Sequence, residues 1–300
     1  MRTLVIGGSG LVGWHSAQAI QGSGHSVVLG ARRLRPDLGF ELLQGDYAEG
    51  GFSERDLAGF HAVVFAAGQD VRHRKPGDDA GFWVKYQSEG ISALAERCRR
   101  AGVERFVLVG SCYHQAMPEL IASDAYVRAR AMAEERTLAL ASESFSVVTI
   151  NPSWIVGLAP GRSHRGFRRM IAWARGMLPQ VPFEAPPGGS NFMSVESVSQ
   201  AIAGALRSGD SGKAYLVGDL NLSFKEYLEL FAAASGRELD LVVTDREHPF
   251  IPDSTIVPGR GSTLSYVPDE SERVRLNYKT GDVSRAVEDL VRTLDAESGA

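Results

Sequence analysis

Gly7, Gly10 and Gly13 carry the spacing most suited to chemistry in this 300-residue chain: they follow the apolar run Thr3–Ile6 directly and lead into a helical pattern. Glycine at the first position permits a tight turn, at the second lets backbone approach a pyrophosphate, and at the third lets the helix pack close to the strand. The helix opening there offers free N–H groups and a partial positive charge to phosphate oxygens. Strand, turn and helix in register predict a dinucleotide cradle formed by Gly7, Gly8, Ser9, Gly10, Leu11, Val12 and Gly13.

The end of the second strand selects the dinucleotide. An Asp or Glu there would accept from the ribose 2′-hydroxyl of NAD, but the run Val27-Val28-Leu29-Gly30-Ala31-Arg32-Arg33 contains neither. Arg32 and Arg33 suit a 2′-phosphate, through charge-assisted and often bidentate bonds, so NADP(H) is expected over NAD(H). The competing account is a pair of solvated charges opening a loop that also holds Arg35. Asp46, followed by Tyr47, either accepts from the adenine amine or caps its own loop.

These residues need a scaffold, and the first half of the chain alternates β-branched runs with helical patterns. Strands are predicted at Thr3–Ile6, Ser26–Ala31, Phe40–Leu43, Ala62–Ala66, Arg105–Val109 and Ser146–Ile150. Helices are predicted at Leu11–Gln21, Asp79–Arg100 and Asp124–Ser142, the second with Val84, Ile91, Leu94 and Cys98 at helical spacing. Strands separated by helices pair in parallel, so the fold class is α/β, a doubly wound Rossmann sheet.

After Asn151-Pro152 the texture changes, and a smaller, interleaved substrate-binding region is expected at 159–190 and 219–275. Residues 1–158, completed by about 191–218 with a helix at Ser194–Arg207, form the nucleotide domain; 276–300 holds a last helix, Asp282–Leu294, and a polar tail. Within 161–183, Phe167, Met170, Ile171, Trp173, Met177 and Phe183 alternate with Arg162, Arg165, Arg168, Arg169 and Arg175. That pattern suits either a lid with a basic rim over an apolar substrate or an ordinary amphipathic helix.

Composition narrows the partners. A net charge of −4 argues against a nucleic-acid binder, which needs a basic face to displace counterions. Charged residues at 23% and hydrophobic residues at 44% are ordinary for a globular chain, leaving small molecules as the expected partners. Two cysteines, Cys98 and Cys112, build no disulfide framework and fit a reducing cytoplasm; no metal-ligand spacing accompanies them. No stretch reaches the ~18 apolar residues of a membrane span, and no export signal is expected.

GGSGLVG at 7–13, AAG at 66–68, AGVERFVLVGSC at 101–112, YVRARAMAEE at 126–135, NPSWIVG at 151–157, NFMSVESVSQAI at 191–202 and YLVGDLNLSFKEYLELF at 215–231 follow one another in an order that resembles the extended short-chain dehydrogenase/reductase superfamily. Within it the chain is similar to the dihydroflavonol-reductase and 3β-hydroxysteroid-dehydrogenase-like branch. The resemblance implies cofactor contacts from Ala66, Ala67, Gly68, Gln87, Tyr126, Arg130, Asn151, Pro152 and Ser153, and a homodimer through the helices at 79–100 and 124–142. It also implies acid–base chemistry from a Tyr-x-x-x-Lys pair, which this chain carries as Tyr126-x-x-x-Arg130. An i, i+4 spacing keeps the cation near the phenol, but arginine is effectively never deprotonated, so charge support survives and a proton relay does not.

Two other family positions are altered. The catalytic serine or threonine falls at Ser111 or Cys112, with the better register at Cys112, and the helix asparagine is matched by Gln87 of Gln87-x-x-Gly90. Loops beyond the carboxyl ends of the strands should line the substrate pocket, which brings in His73, Tyr113, His114 and Trp154. The expected activity is NADPH-dependent reduction of a ketone or conjugated carbonyl on a small apolar or aromatic substrate. A nucleotide-sugar epimerase or dehydratase and an NADP-binding sensor or scaffold that has lost the chemistry are the alternatives.

Overall fold

The β-branched runs form strands and the 3.6-periodic segments between them form helices, in a computed structural model that describes residues 1–71 and 80–298. The strands are β1 (Arg2–Ile6), β2 (Ser26–Ala31), β3 (Glu41–Gln44), β4 (Ala62–Phe65), β5 (Arg105–Val109), β6 (Ser146–Asn151), β7 (Trp154–Val156), β8 (Glu184–Ala185), β9 (Gly189–Ser194), β10 (Lys213–Leu216), β11 (Leu220–Ser223) and β12 (Val242–Val243). The helices are α1 (Leu11–Gly22), α2 (Glu54–Leu57), α3 (Ala80–Trp83), α4 (Gly90–Arg100), α5 (Tyr113–Ala116), α6 (Leu120–Ser123), α7 (Ala125–Leu138), α8 (Arg165–Ala174), α9 (Val195–Ser208), α10 (Phe224–Ala234), α11 (Glu270–Leu276) and α12 (Val283–Ser298).

The chain divides into two compact units: Met1–Pro152 with Val195–Val217 and Pro268–Lys279, and Ser153–Ser194 with Gly218–Val267 and Thr280–Ala300. The first contains a seven-stranded sheet in the order β10-β6-β5-β4-β1-β2-β3, with every neighbouring pair parallel. This is the doubly wound Rossmann arrangement. Strand order reverses between β1 and β4, so the crevice beyond their carboxyl ends is the switch point where such sheets bind ligands. Leu4, Val63, Phe65 and Phe106 pack one face of the sheet against Ile91, Leu94 and Cys98 of α4, all of them fully buried.

The second unit holds a three-stranded sheet, β11-β9-β7, and a two-stranded one, β12-β8. Its core is Trp173 of α8, Phe192 of β9, Tyr227 and Phe231 of α10, and Val287 and Leu290 of α12. α8 buries Met170, Ile171 and Trp173, while Arg168 pairs with Glu297 and Arg175 with Asp295. Of the apolar and basic residues around 161–183, Met170, Ile171 and Trp173 are core and Arg168 and Arg175 are ion-paired to α12, while Met177 and Phe183 are exposed.

One predicted element differs in kind. Instead of a single helix to Arg100, a π-helical stretch, Val84–Glu89, joins α3 to α4. A π turn widens the hydrogen-bond spacing to i→i+5 and rotates the residues before it relative to those after it. Val84 leaves the buried stripe for this reason and is 39% exposed, while Ile91, Leu94 and Cys98 stay inside. Asp79, the predicted start of that helix, lies outside the described residues. The predicted helix Asp124–Ser142 begins one residue later, where the Asp124 side chain accepts from Val127 N–H at 2.8 Å, and ends at Leu138.

Candidate active site

The turn after β1 meets the turn after β4 at the switch point. Gly7 has φ +88°, and a Cβ there would lie 2.6 Å from the backbone of Ala66 and Ala67. A Cβ on Gly13 would lie 2.3 Å from the Gly7 carbonyl oxygen, so glycine at this position is what lets α1 start against the turn. Gly8 sits against Leu29, and Gly10 is the N-cap of α1 and supplies no side-chain cap. No acidic residue lies in the first turn of α1, so its leading amides and the positive end of its dipole are left for an anion. A backbone cradle that a methyl group would fill, facing an uncapped helix start, fits a dinucleotide pyrophosphate.

Beyond β2, Arg35 is tied to Asp37 at 2.5 Å, whereas no ion pair engages Arg32 or Arg33 among the described residues. The Arg32 carbonyl accepts from Gln44 Nε2 at 3.1 Å, which fixes the backbone while the guanidinium stays outside that bond. Asp46 caps the short turn Tyr47–Glu49 by accepting from Ala48 N–H at 3.0 Å. Tyr47 is buried against Phe65 and donates its hydroxyl to the Tyr86 carbonyl at 2.8 Å; burial pushes its phenol well above the ordinary tyrosine value. Arg97, which the sequence did not single out, donates to the carbonyls of Tyr47, Gly51 and Phe52 at 3.3 Å each and holds this loop in place.

Tyr126 and Arg130 do come together. Arg130 Nε donates to the Tyr126 hydroxyl at 3.3 Å, and one guanidinium nitrogen of Arg130 reaches Gln87 Oε1 at 3.3 Å and the Val109 carbonyl at 3.4 Å. Gln87, fully buried in the π-helical stretch, donates its amide to the Gln69 carbonyl. A Cβ on Gly68 would come within 2.9 Å of the guanidinium, so Gly68 is the floor of the arginine's slot. The Tyr126 ring is buried against Trp83 and Tyr113, with centroids at 5.0 and 6.5 Å. Positions predicted separately, Ala66–Gly68, Gln87, Tyr126 and Arg130, thus belong to one contiguous arrangement.

A second set converges behind the strand ends. Asn151, at the end of β6, accepts from Ser111 N–H at 2.9 Å and donates to Gln115 Oε1 at 2.9 Å and Glu134 Oε2 at 2.6 Å. Glu134 Oε1 lies 2.9 Å from His114 Nε2. Asn151 is fully buried, and its side chain is spent on protein partners. His114 is buried and paired, not a solvated loop histidine. Ser111, Cys112 and Tyr113 are buried beside it. The sequence signal for Glu134 was available: a carboxylate at i+8 from Tyr126 and i+4 from Arg130 shares their helix face, and a charge there demands a partner.

The remaining predictions divide. Pro152 closes the first unit, while Ser153 and Trp154 belong to the second, where Trp154 packs on Phe192 and Phe224 at 5.5 and 5.4 Å. His73 lies outside the described residues. Among the described residues, no group of three or more His, Cys, Asp or Glu is placed to hold a metal, and no helix is long and apolar enough to cross a membrane.

Comparison with known proteins agrees with this architecture. A 2-alkyl-3-oxoalkanoate reductase of Stenotrophomonas maltophilia (strain K279a) is 29% identical over 180 residues, covering 52% of this chain and 52% of that protein, so the match spans about half the length of the curated relative. Among solved structures, the UDP-N-acetylglucosamine 4-epimerase of Bacillus cereus aligns with a TM-score of 0.74 at 14% identity, over 98% of this chain and 99% of the other. A short-chain dehydrogenase/reductase superfamily protein of Agrobacterium tumefaciens with bound NAD aligns at 0.72 and 18% identity, over 99% and 98%. Likeness at that identity speaks for the fold alone. Residues 3–218, however, match the NAD dependent epimerase/dehydratase family as a whole, and the chain belongs to that family.

Proposed function

We propose that this chain is an NADPH-dependent reductase of a ketone or conjugated carbonyl on a small, largely apolar or aromatic substrate. The observation that carries the proposal is the hydrogen bond from Arg130 Nε to the Tyr126 hydroxyl. Because the guanidinium donates to the phenolic oxygen, the phenol's own O–H hydrogen is left to be given to a second acceptor, such as a substrate carbonyl. When that proton leaves, the adjacent cation disperses the charge on the oxygen.

Arg130 holds its protons throughout, so it acts by charge and position. Gln87, the Val109 carbonyl and the Gly68 floor fix the guanidinium against the phenol. The dinucleotide, when bound, supplies the hydride. Its pyrophosphate is assigned to the Gly7–Gly13 turn and its 2′-phosphate to Arg32 and Arg33. The partly matched relative, named as a reductase of an oxoalkanoate, supports carbonyl reduction as the reaction class.

The test is NADPH oxidation across a panel of aromatic and 3-oxoacyl ketones. Tyr126→Phe should lower kcat by about 10²- to 10⁴-fold while leaving NADPH affinity within about threefold, as expected for loss of a general acid. Full turnover in that variant would remove the phenol from the mechanism. Conversion of a nucleotide sugar without net cofactor consumption would move the chain to epimerase chemistry.

A further inference from the structure

We propose that Glu134 is a positioning residue that ties the Ser111–Cys112 loop to the helix bearing Tyr126 and Arg130, a role that rests on the reductase reading. Tyr126, Arg130 and Glu134 are spaced i, i+4 and i+8 along α7 and so share one face. At one end of that face the phenol and guanidinium are joined directly. At the other, the two carboxylate oxygens reach Asn151 Nδ2 at 2.6 Å and His114 Nε2 at 2.9 Å. Asn151 then accepts Ser111 N–H at 2.9 Å and donates to Gln115. The 110–116 segment is thereby tied to α7 at two places through side chains.

The chemistry of each atom fixes its role. A carboxylate can only accept, so His114 Nε2 carries the hydrogen that faces Glu134, while the buried Nδ1 has no hydrogen-bond partner. Asn151 has no slack either, because a Cβ on Gly110 would come within 1.8 Å of its Oδ1. A group so fully bonded transmits position: moving the carboxylate moves Asn151, and with it the Ser111 amide and the neighbouring Cys112. Misplacement of a reacting or polarising group by about 1 Å can cost on the order of 100-fold in rate.

The test joins turnover to a thiol probe. Neither cysteine is in a disulfide, and both are buried. Cys112 lies on the tethered loop, whereas Cys98 lies within α4 with its thiol pushed up to about 12 by burial. Iodoacetamide should label Cys112 at least about tenfold faster in Glu134→Ala than in the parent, with Cys98 unlabelled, and kcat should fall about 10- to 100-fold at unchanged NADPH affinity. Glu134→Gln should restore both readouts to within about threefold, since its amide oxygen accepts from Asn151 and its amide nitrogen donates to the alternative His114 tautomer.

Equal acceleration at both cysteines would show that Glu134 holds up the fold generally and would overturn the proposal. So would unchanged kcat and unchanged Cys112 labelling. Should Glu134→Ala fail to fold, His114→Ala severs one arm of the bridge and is expected to give the same Cys112-selective labelling; its absence would again be fatal. If the parent protein reduces no ketone, the reductase reading falls by itself, and the thiol readout alone decides whether Glu134 holds the loop.

Discussion

In the first unit, the buried carboxylate of Glu134 reaches two partners that are themselves bonded onward or packed, so its position is dictated by directional contacts. In the second, the buried imidazole of His248 sits among the rings of Trp173 and Phe250, with centroids at 5.6 and 5.3 Å, and its Nε2 has no hydrogen-bond partner. Hydrogen bonds are directional and fail over fractions of an ångström, whereas apolar contact is diffuse and scales with area. A polar network therefore suits the holding of reacting groups, and an aromatic cluster suits the holding together of elements. The comparison predicts that damage to the first unit's network is read in chemistry and damage to the second unit's cluster in stability.

The largest expected effect tests the second half of that statement. Trp173 is fully buried, touches Phe183, His248 and Phe250, and donates its indole N–H to the Pro182 carbonyl at 3.1 Å. Trp173→Ala should destabilise by about 3–5 kcal/mol through lost burial and a residual cavity. Denaturant unfolding reads the loss, and calorimetry should find NADPH affinity within about threefold of the parent. A large loss of affinity at unchanged stability would break the division.

The converse case is Gly13→Ala. Its Cβ would sit 2.3 Å from the Gly7 carbonyl, so turn and helix must part and the amides proposed to hold the phosphates must move. Losing one or two charge-assisted bonds predicts about a 100-fold weaker NADPH complex by titration. Unaltered affinity would show that the cradle is not where the cofactor binds.

The same contrast governs how much of each unit was legible in the sequence. The Gly7 turn, the parallel strands and the Tyr126–Arg130 pair could be read because backbone geometry and i, i+4 spacing place them in any environment. The 2.3 Å approach at Gly13 has one residue type that fits it, and that residue is visible in the sequence. The π-helical stretch at Val84–Glu89 was invisible, since no residue type demands it and a uniform helix explained Ile91, Leu94 and Cys98 equally well. The spacing of Glu134 from Tyr126 and Arg130 was readable, but its partners were not: His114 and Asn151 lie twenty and seventeen residues away in sequence and come from other elements. In the second unit, the arginines around α8 suited a binding rim and an amphipathic helix equally, and the partners of Arg168 and Arg175, Glu297 and Asp295 of α12, lie more than a hundred residues away in sequence, beyond the reach of any local pattern.

Arg32 sharpens the comparison within the first unit, separating a contact made to a ligand from contacts made to protein. Its guanidinium forms no ion pair among the described residues, so Arg32→Ala should leave the unfolding midpoint in place. Removal of a charge-assisted contact to a 2′-phosphate predicts NADPH affinity lower by about 10- to 100-fold, with NADH affinity held. An equal loss for both dinucleotides would place Arg32 elsewhere than at the 2′-phosphate, and no loss for either would leave it a solvated charge.

His248 carries the smallest effect and returns the comparison to the second unit. Burial lowers its pKa to about 4, against a weaker opposing influence from the Glu184 carboxylate, which is itself ion-paired to Arg246. Its Nδ1 accepts from Phe250 N–H at 3.4 Å, so the neutral ring keeps its hydrogen on the unpartnered Nε2. As pH falls below the ordinary histidine value near 6.5, the unfolded chain takes up a proton that the folded chain refuses until about pH 4. Stability should therefore decline across that window and level off below it, by at most about 2 kcal/mol between pH 7 and pH 5 for this one group. His248→Phe removes the titrating atom and keeps a ring among the aromatics, so its unfolding free energy should lose that component of the acid slope. Parallel curves for variant and parent over pH 5 to 7 would mean that the imidazole is protonated in place, and that this cluster tolerates a charge as the aromatic packing argument says it cannot.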